Sequence, residues 1–296
     1  MEEKMSFIEG QDLRQKWIKS AATDEKRVLN LIHYLKRSKT GLILLSQAAK
    51  KAAQHGETLT DVIIPGEVSI TDTTLIRRFD RDNPLEMIYE TKSKIFINID
   101  LSFQDAILDL AHELTHFNYK EPFNPYQPGF SATDFLKSTL DGKGGEVEAY
   151  LVECKVMAEI FPSAVKKLSH CHRIQDDEKK IFSKAMATKL FYQLGDFHKM
   201  FEEEVGQLGL KASDISPYSD GEALFISSAY GLPYPLASLR EYQGIMTKVC
   251  QNDQKRLGLL RDSIGRTLAS VQKSGNQKLY EKINANFQSR CPAFIK

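Results

Sequence analysis

The sequence predicts an α+β protein, with N-terminal helices, a small mixed or antiparallel sheet, and a largely α-helical C-terminal part. Three observations carry this. Apolar residues recur at three- and four-residue intervals in the N-terminal segment, the spacing of a buried helical stripe. From about residue 60 to residue 99 the pattern changes to short β-branched or aromatic runs between turn residues. The helical period then returns at Phe103 and persists through most of the remaining chain.

Taken in order, residues 11–55 read as helices, with Trp17, Ile18, Val28, Leu29, Ile32 and Leu35, then Leu42, Leu44, Leu45, Ala48, Ala49 and Ala52 at helical spacing. A break is expected near Lys39-Thr40-Gly41, and His55-Gly56 ends the unit. Strands follow at Asp61–Ile64, Thr73–Phe79, Leu85–Tyr89 and Lys94–Ile99. The last two, joined by Thr-Lys-Ser, read as a hairpin. A helix then starts at Ser102, a hydroxyl placed to cap free N–H groups, with Asp105 in the first turn where it favours the helix dipole. Phe103, Ala106, Ile107, Leu110, Ala111, Leu114 and Phe117 form its stripe, and Pro122 with the Pro-Tyr-Gln-Pro-Gly run at 125–129 ends it. After Gly144-Gly145 an amphipathic run carries Val147, Ala149, Tyr150, Leu151, Val152, Cys154, Val156, Met157, Ile160 and Phe161. Beyond residue 163 the chain reads as helical, including one long run from about Asp177 to Leu208 with Phe182, Met186, Leu190, Phe191, Leu194, Phe197 and Met200 as its core stripe. His198, beside that stripe, reads as structural. The expected organisation is residues 1–58 as N-terminal helices, 59–162 as the core, and 163–296 as a helical extension packed on it.

The chemistry concentrates in His112-Glu113-Leu114-Thr115-His116, an HExxH motif within the helix that Ser102 starts. Residues four apart lie one above the other on a helix face, so the two imidazoles can converge on one cation. Glu113 can then reach a water at the metal as general base. The stripe leaves His112, Glu113 and His116 beside the apolar face, floored by it. A usable site also needs a third protein ligand and an open position for water.

The longer HExxHxxGxxH pattern is excluded, because position 119 is Tyr and position 122 is Pro. An acidic ligand on the following helix remains, and Glu146 and Glu148 are its two candidates. They lie about 200° apart around a helix, so only one can face the metal. Here the chain resembles the gluzincins, zinc metallopeptidases in which a second helix supplies a glutamate ligand, often as Glu-x-x-Ala. Glu146 with Ala149 fits that form. The resemblance covers roughly residues 60–162 and implies a zincin-like catalytic core, with Zn2+ held by His112, His116 and Glu146, and a peptide or protein substrate. It also implies an edge strand that pairs with extended substrate, for which Lys94–Ile99 is the candidate beside the alternative of an interior strand. The chain departs from the best-known members at Tyr150, where they carry an aspartate that orients a zinc-bound histidine. Asp109, one turn before His112, is a candidate for that support. A zinc-containing binding or inhibitory protein without turnover is the alternative function.

One loop adds a further catalytic candidate. Ser227–Pro235 combines Tyr230 and Tyr234 with Gly and Pro, and the Tyr230 hydroxyl is a candidate donor to a developing oxyanion. A connection packed by its aromatics is the plainer reading. Tyr150 is a second candidate donor.

Composition narrows the partners. The 40 basic and 39 acidic residues of 296 leave a net charge of +1, with no electrostatic case for nucleic acid or an anionic membrane. Lys50-Lys51, Lys166-Lys167 and Lys179-Lys180 read as solvated faces. No apolar run approaches the roughly 20 residues of a transmembrane helix. The N-terminus carries no signal-sequence pattern, so the expectation is a soluble chain, either cytoplasmic or exported with its leader absent here. Cys154, Cys171, Cys250 and Cys291 are sparse and read as buried thiols rather than a disulfide framework. His170-Cys171-His172 reads as a polar helix end.

Overall fold

Side-chain caps set the first helices. In the computed structural model, which describes residues 12–79, 87–127, 129–165, 170–176, 181–215, 221–266 and 270–295, Thr23 accepts the Lys26 N–H and opens α1 (Asp24–Leu35). Ser38 accepts the Gly41 N–H at 2.9 Å and opens α2 (Lys39–Ala53). The break expected near Lys39-Thr40-Gly41 falls at residues 36–38, immediately before those three residues form the first turn of α2. The glycine serves close approach: a Cβ at Gly41 would come within 2.3 Å of the Leu35 carbonyl oxygen. Thr58 and Asp61 form a capping box on α3 (Leu59–Val62), which delays the first strand by two residues relative to expectation.

Three strands follow: β1 (Ile63–Gly66), β2 (Ile70–Phe79) and β3 (Met87–Asn98), in the order β1-β3-β2. β1 runs parallel to β3, with Ile63 opposite Ile95 and Gly66 opposite Asn98. Two expectations are corrected. Leu85–Tyr89 and Lys94–Ile99 do not form a hairpin; Thr91-Lys92-Ser93 continues one strand, β3, and Leu85 lies outside the described residues. Cross-strand pairing outweighs the local turn signal there, as where Thr73 and Ser93 hydrogen-bond through their hydroxyls at 2.8 Å. Lys94–Ile99 is also not an edge, because β3 lies between β1 and β2.

The chain divides into two compact units. The first comprises Met1–Thr73, Ser93–Glu121 and Gly142–Ala187. In it α4 (Phe103–Tyr119) packs against α1, α2 and α6 (Glu146–Ile160). Trp17, Ile63, Ile95, Ile97, Phe103, Ile107 and Leu110 are fully buried. Lys51 departs from its expected solvated role: half-buried, it donates to the Phe117 carbonyl at 2.5 Å, and burial lowers its pKa. Lys166-Lys167 and Lys179-Lys180 lie outside the described residues.

The second unit comprises Thr74–Lys92, Pro122–Asp141 and Thr188–Lys296. Its core gathers Phe135, Leu136, Tyr192, Phe201, Leu239 and Met246. They come from α5 (Ala132–Leu140), from Tyr192 just after α8 (Lys184–Phe191), from α9 (His198–Gln207) and from α10 (Tyr234–Arg266). After α7 (Pro162–Val165) and β4 (Gln175–Asp176), the helix expected over 177–208 is divided: residues 177–180 lie outside the described residues and Ile181–Phe182 is a strand, β5, paired with β4. The rest becomes α8, a 3-10 turn at Gly195–Phe197, and α9. Gly195 has φ of +51°, a conformation that interrupts helical continuation. The hairpin β6 (Ile226–Ser227) and β7 (Leu232–Pro233) leads into α10 (Tyr234–Arg266), which packs against α11 (Ser270–Arg290).

The cysteines correct the thiol expectation. Cys154 bonds Cys171 in the first unit and Cys250 bonds Cys291 in the second, each with Cα atoms 5.5 Å apart. Sparse spacing along the chain carries no information on pairing, which packing alone creates. Among the described residues, no helix is long and apolar enough to cross a membrane.

Candidate metal centre

The HExxH segment sits where its local signals place it. Ser102 accepts the Asp105 N–H at 3.1 Å and donates to the Asp105 carboxylate at 2.7 Å, satisfying the open end of α4. Phe103, Ala106, Ile107, Leu110, Ala111 and Leu114 are buried along one face. Glu113 and His116 are buried beside them at 6% and 7% exposure, which removes water as their main hydrogen-bonding partner.

α6 supplies the facing groups. Its start is held to the end of α4 by Gly144, whose φ is +66° and at which a Cβ would meet the Lys120 nitrogen at 2.4 Å. Only glycine fits this junction. The Gly144 carbonyl accepts a hydrogen bond from His116 Nδ1 at 2.7 Å. Its N–H donates to the Glu148 carboxylate at 2.5 Å. Glu148 is thus engaged at the helix start, whereas Glu146 faces both imidazoles. His112 Nε2 lies 3.3 Å from Glu146 Oε2, and His116 Nε2 lies 3.5 Å from Glu146 Oε1.

Those two distances are informative. Charge-assisted N–H···O bonds are typically about 2.7–2.9 Å. Donors bound about 2.0–2.1 Å from a tetrahedral zinc stand about 3.4 Å apart, the edge of the tetrahedron. The two Nε2 atoms face different oxygens of Glu146, at distances longer than charge-assisted bonds and near the spacing of donors around a small cation, and a two-imidazole, one-carboxylate donor set suits a borderline cation. Glu113 belongs to the same cluster, since single ligand atoms of His112, Glu113 and His116 all lie within 4.8 Å of one another. Glu146 meets both Nε2 atoms, whereas the Glu113 carboxylate is engaged by Thr71. The Thr71 hydroxyl lies 2.8 Å from Glu113 Oε2 and 2.9 Å from the Glu113 carbonyl oxygen.

Charge follows from the packing. Burial opposes a charged His112, but hydrogen bonds to Glu146 and Glu153 and the negative charges of Glu146 and Glu113 hold its pKa well above the ordinary histidine value. Burial likewise opposes ionised Glu146, and the His116 and His112 rings hold its pKa well below the usual carboxylate range. Burial also raises Asp109, to about 6, against a hydrogen bond from Ser69.

The structure brings His112, Glu113, His116 and Glu146 together in the first unit. Tyr230 belongs to the second unit, exposed at the turn between β6 and β7. Tyr150 is buried on α6. Asp109 hydrogen-bonds Ser69, and the carboxylate beside His112 Nδ1 is instead Glu153, at 3.4 Å. Sequence reasoning missed Glu153, Thr71 and the Gly144 carbonyl. For Glu153 a signal existed: it lies seven residues after Glu146, nearly two full helical turns, on the same face. Thr71 and Gly144 had none, being set by packing across 42 and 28 residues. No family model, curated protein or solved structure matches this chain.

Proposed function

We propose that the first unit is the zincin-like catalytic core of a zinc-dependent peptidase. The observation that carries the proposal is the meeting of the two HExxH Nε2 atoms with one Glu146 carboxylate at 3.3 and 3.5 Å. His112, His116 and Glu146 would hold the cation, three protein ligands that leave a fourth position open. A bound zinc would supply Lewis acidity, lowering the pKa of water to about 7 and polarising a carbonyl oxygen.

The chain's own residues do the rest. Glu113 takes a proton from the attacking water at its carboxylate and returns it to the leaving amine. Thr71 holds that carboxylate by donating to Oε2, at 2.8 Å. Burial of Glu113 keeps bulk water from competing for it. Among the described residues β3 is the one sheet neighbour of β2, which carries Thr71, so an extended peptide would pair along Ile70–Thr73 on the other side. Two disulfides support an oxidising compartment, and hence export.

Metal analysis followed by cleavage profiling on a peptide library tests the reading, with Glu113→Gln as control. One zinc per chain, lost in Glu146→Ala, and cleavage lost in Glu113→Gln with zinc retained is the expected result. Wild-type chain that takes up no zinc would sink it, as would a fully active Glu113→Gln variant.

A further inference from the structure

Glu146 and Glu153 stand seven residues apart on α6, about 20° short of two full turns, so their side chains leave the same face. Their carboxylates bracket one imidazole. Glu146 Oε2 lies 3.3 Å from His112 Nε2, and Glu153 Oε2 lies 3.4 Å from His112 Nδ1. A histidine that ligates through Nε2 must leave that nitrogen bare and carry its proton on Nδ1, and the acceptor of that proton fixes the ring. At His116 the acceptor is the backbone: the Gly144 carbonyl, 2.7 Å from Nδ1. At His112 the group facing Nδ1 is the Glu153 carboxylate. Asp109, the other acid on this side of α4, is hydrogen-bonded by Ser69.

We propose that Glu153 is a positioning residue of the metal centre, accepting the Nδ1–H of His112 and holding the ring with Nε2 bare and aimed at the cation. The inference rests on the zinc reading of the site. Glu153 touches neither substrate nor the reacting atoms; it acts through His112. Its place on the helix is itself anchored, because the next residue, Cys154, is fully buried and bonded to Cys171. The ring stands between two carboxylates at nearly equal distance. Ligation through Nε2 leaves the Nδ1–H to Glu153 alone. The two histidines are thus held by different devices: His116 by a carbonyl that no side-chain substitution removes, His112 by a carboxylate that one substitution does.

The test uses the full chain and zinc alone. Zinc affinity is measured by competition with a chromophoric chelator for wild type, Glu153→Gln and Glu153→Ala. Proton–nitrogen spectra of the imidazoles are recorded in the zinc-loaded proteins. Affinity is expected to fall about 10–100-fold in Glu153→Ala, and less in Glu153→Gln, whose amide oxygen still accepts a hydrogen bond. The His112 Nδ1–H resonance, slow to exchange in wild type, is expected to be lost in Glu153→Ala while that of His116 persists; a substitution that only loosened α6 would move both. Unchanged affinity and an unchanged His112 resonance would overturn the inference and leave the zinc reading standing. A wild-type chain without zinc uptake overturns both. Should Glu153→Ala fail to fold, the wild-type spectrum decides, because ligation of His112 through Nδ1 is incompatible with the proposed role.

Discussion

Each unit contains a pair of packed helices with buried charge, and the two pairs are built in opposite ways. Around α10 and α11, Arg290 reaches the Asp253 carboxylate at 2.7 Å and the Pro125 carbonyl at 2.9 Å, beside the Cys250–Cys291 bond. The charges there meet at ordinary hydrogen-bond length. Between α4 and α6, the Glu146 carboxylate faces the Nε2 atoms of His112 and His116 at 3.3 and 3.5 Å, too far for short hydrogen bonds and close to the spacing of donors around a small cation. The first arrangement satisfies itself; under the proposed function the second would be completed by a cation. Buried charge serves cohesion in one unit and, under the proposed function, would serve binding in the other.

The largest expected effect is on turnover. Glu113→Gln removes the base and should reduce peptide hydrolysis by about 10²–10⁴-fold, read as kcat/KM, while equilibrium dialysis still finds bound zinc. No comparable loss should follow from any substitution at Asp253 or Arg290. Those substitutions act on stability instead. Arg290→Ala leaves Asp253 buried without that cation and is expected to cost about 3–5 kcal/mol in denaturant unfolding, with zinc uptake unchanged. Opening the Cys250–Cys291 loop should cost a similar amount, about 4 kcal/mol for a loop of that length.

Two smaller effects sharpen the contrast from the other side. Gly144→Ala forces a Cβ against the Lys120 nitrogen and displaces the carbonyl that holds His116, so zinc affinity should drop about 10–100-fold. Isothermal titration would read this directly, and undiminished affinity would show that the Gly144 carbonyl does not orient the ring. The smallest effect is a pH slope. The Glu159 carboxylate, although burial opposes its charge, accepts from Ser38 and from the Thr40 N–H and hydroxyl at the start of α2, which holds its pKa below the ordinary value. A depressed carboxylate pKa contributes stability that is present above the unfolded value and lost as pH falls through the folded one. Wild type should therefore lose stability below about pH 4.5 more steeply than Glu159→Gln. Parallel acid-unfolding curves would remove Glu159 from that account.

Much of the site was legible because its signals are local. The Ser102 cap, the apolar stripe and the four-residue interval of His112 and His116 all act within one or two turns of a single helix. Glu146 was legible as one of two acids at the start of the next helix. Its separation from Glu148 follows from the engagement of Glu148 with Gly144, a contact made at the junction with α4. Where expectation failed, a neighbour distant in sequence outweighed a local preference. Thr91-Lys92-Ser93 looked like a turn and became strand.

By itself, then, the sequence determined the α+β composition, the HExxH helix and the pair of acids from which a third donor could come. Backbone hydrogen bonding and side-chain periodicity are properties of short segments, and they can be read there. Only the tertiary structure decided that Glu146 faces the imidazoles, that Glu153, Thr71 and the Gly144 carbonyl surround them, and that the cysteines pair. Each of those contacts joins residues 17 to 42 positions apart. Only the packing of helices and strands brings such residues together.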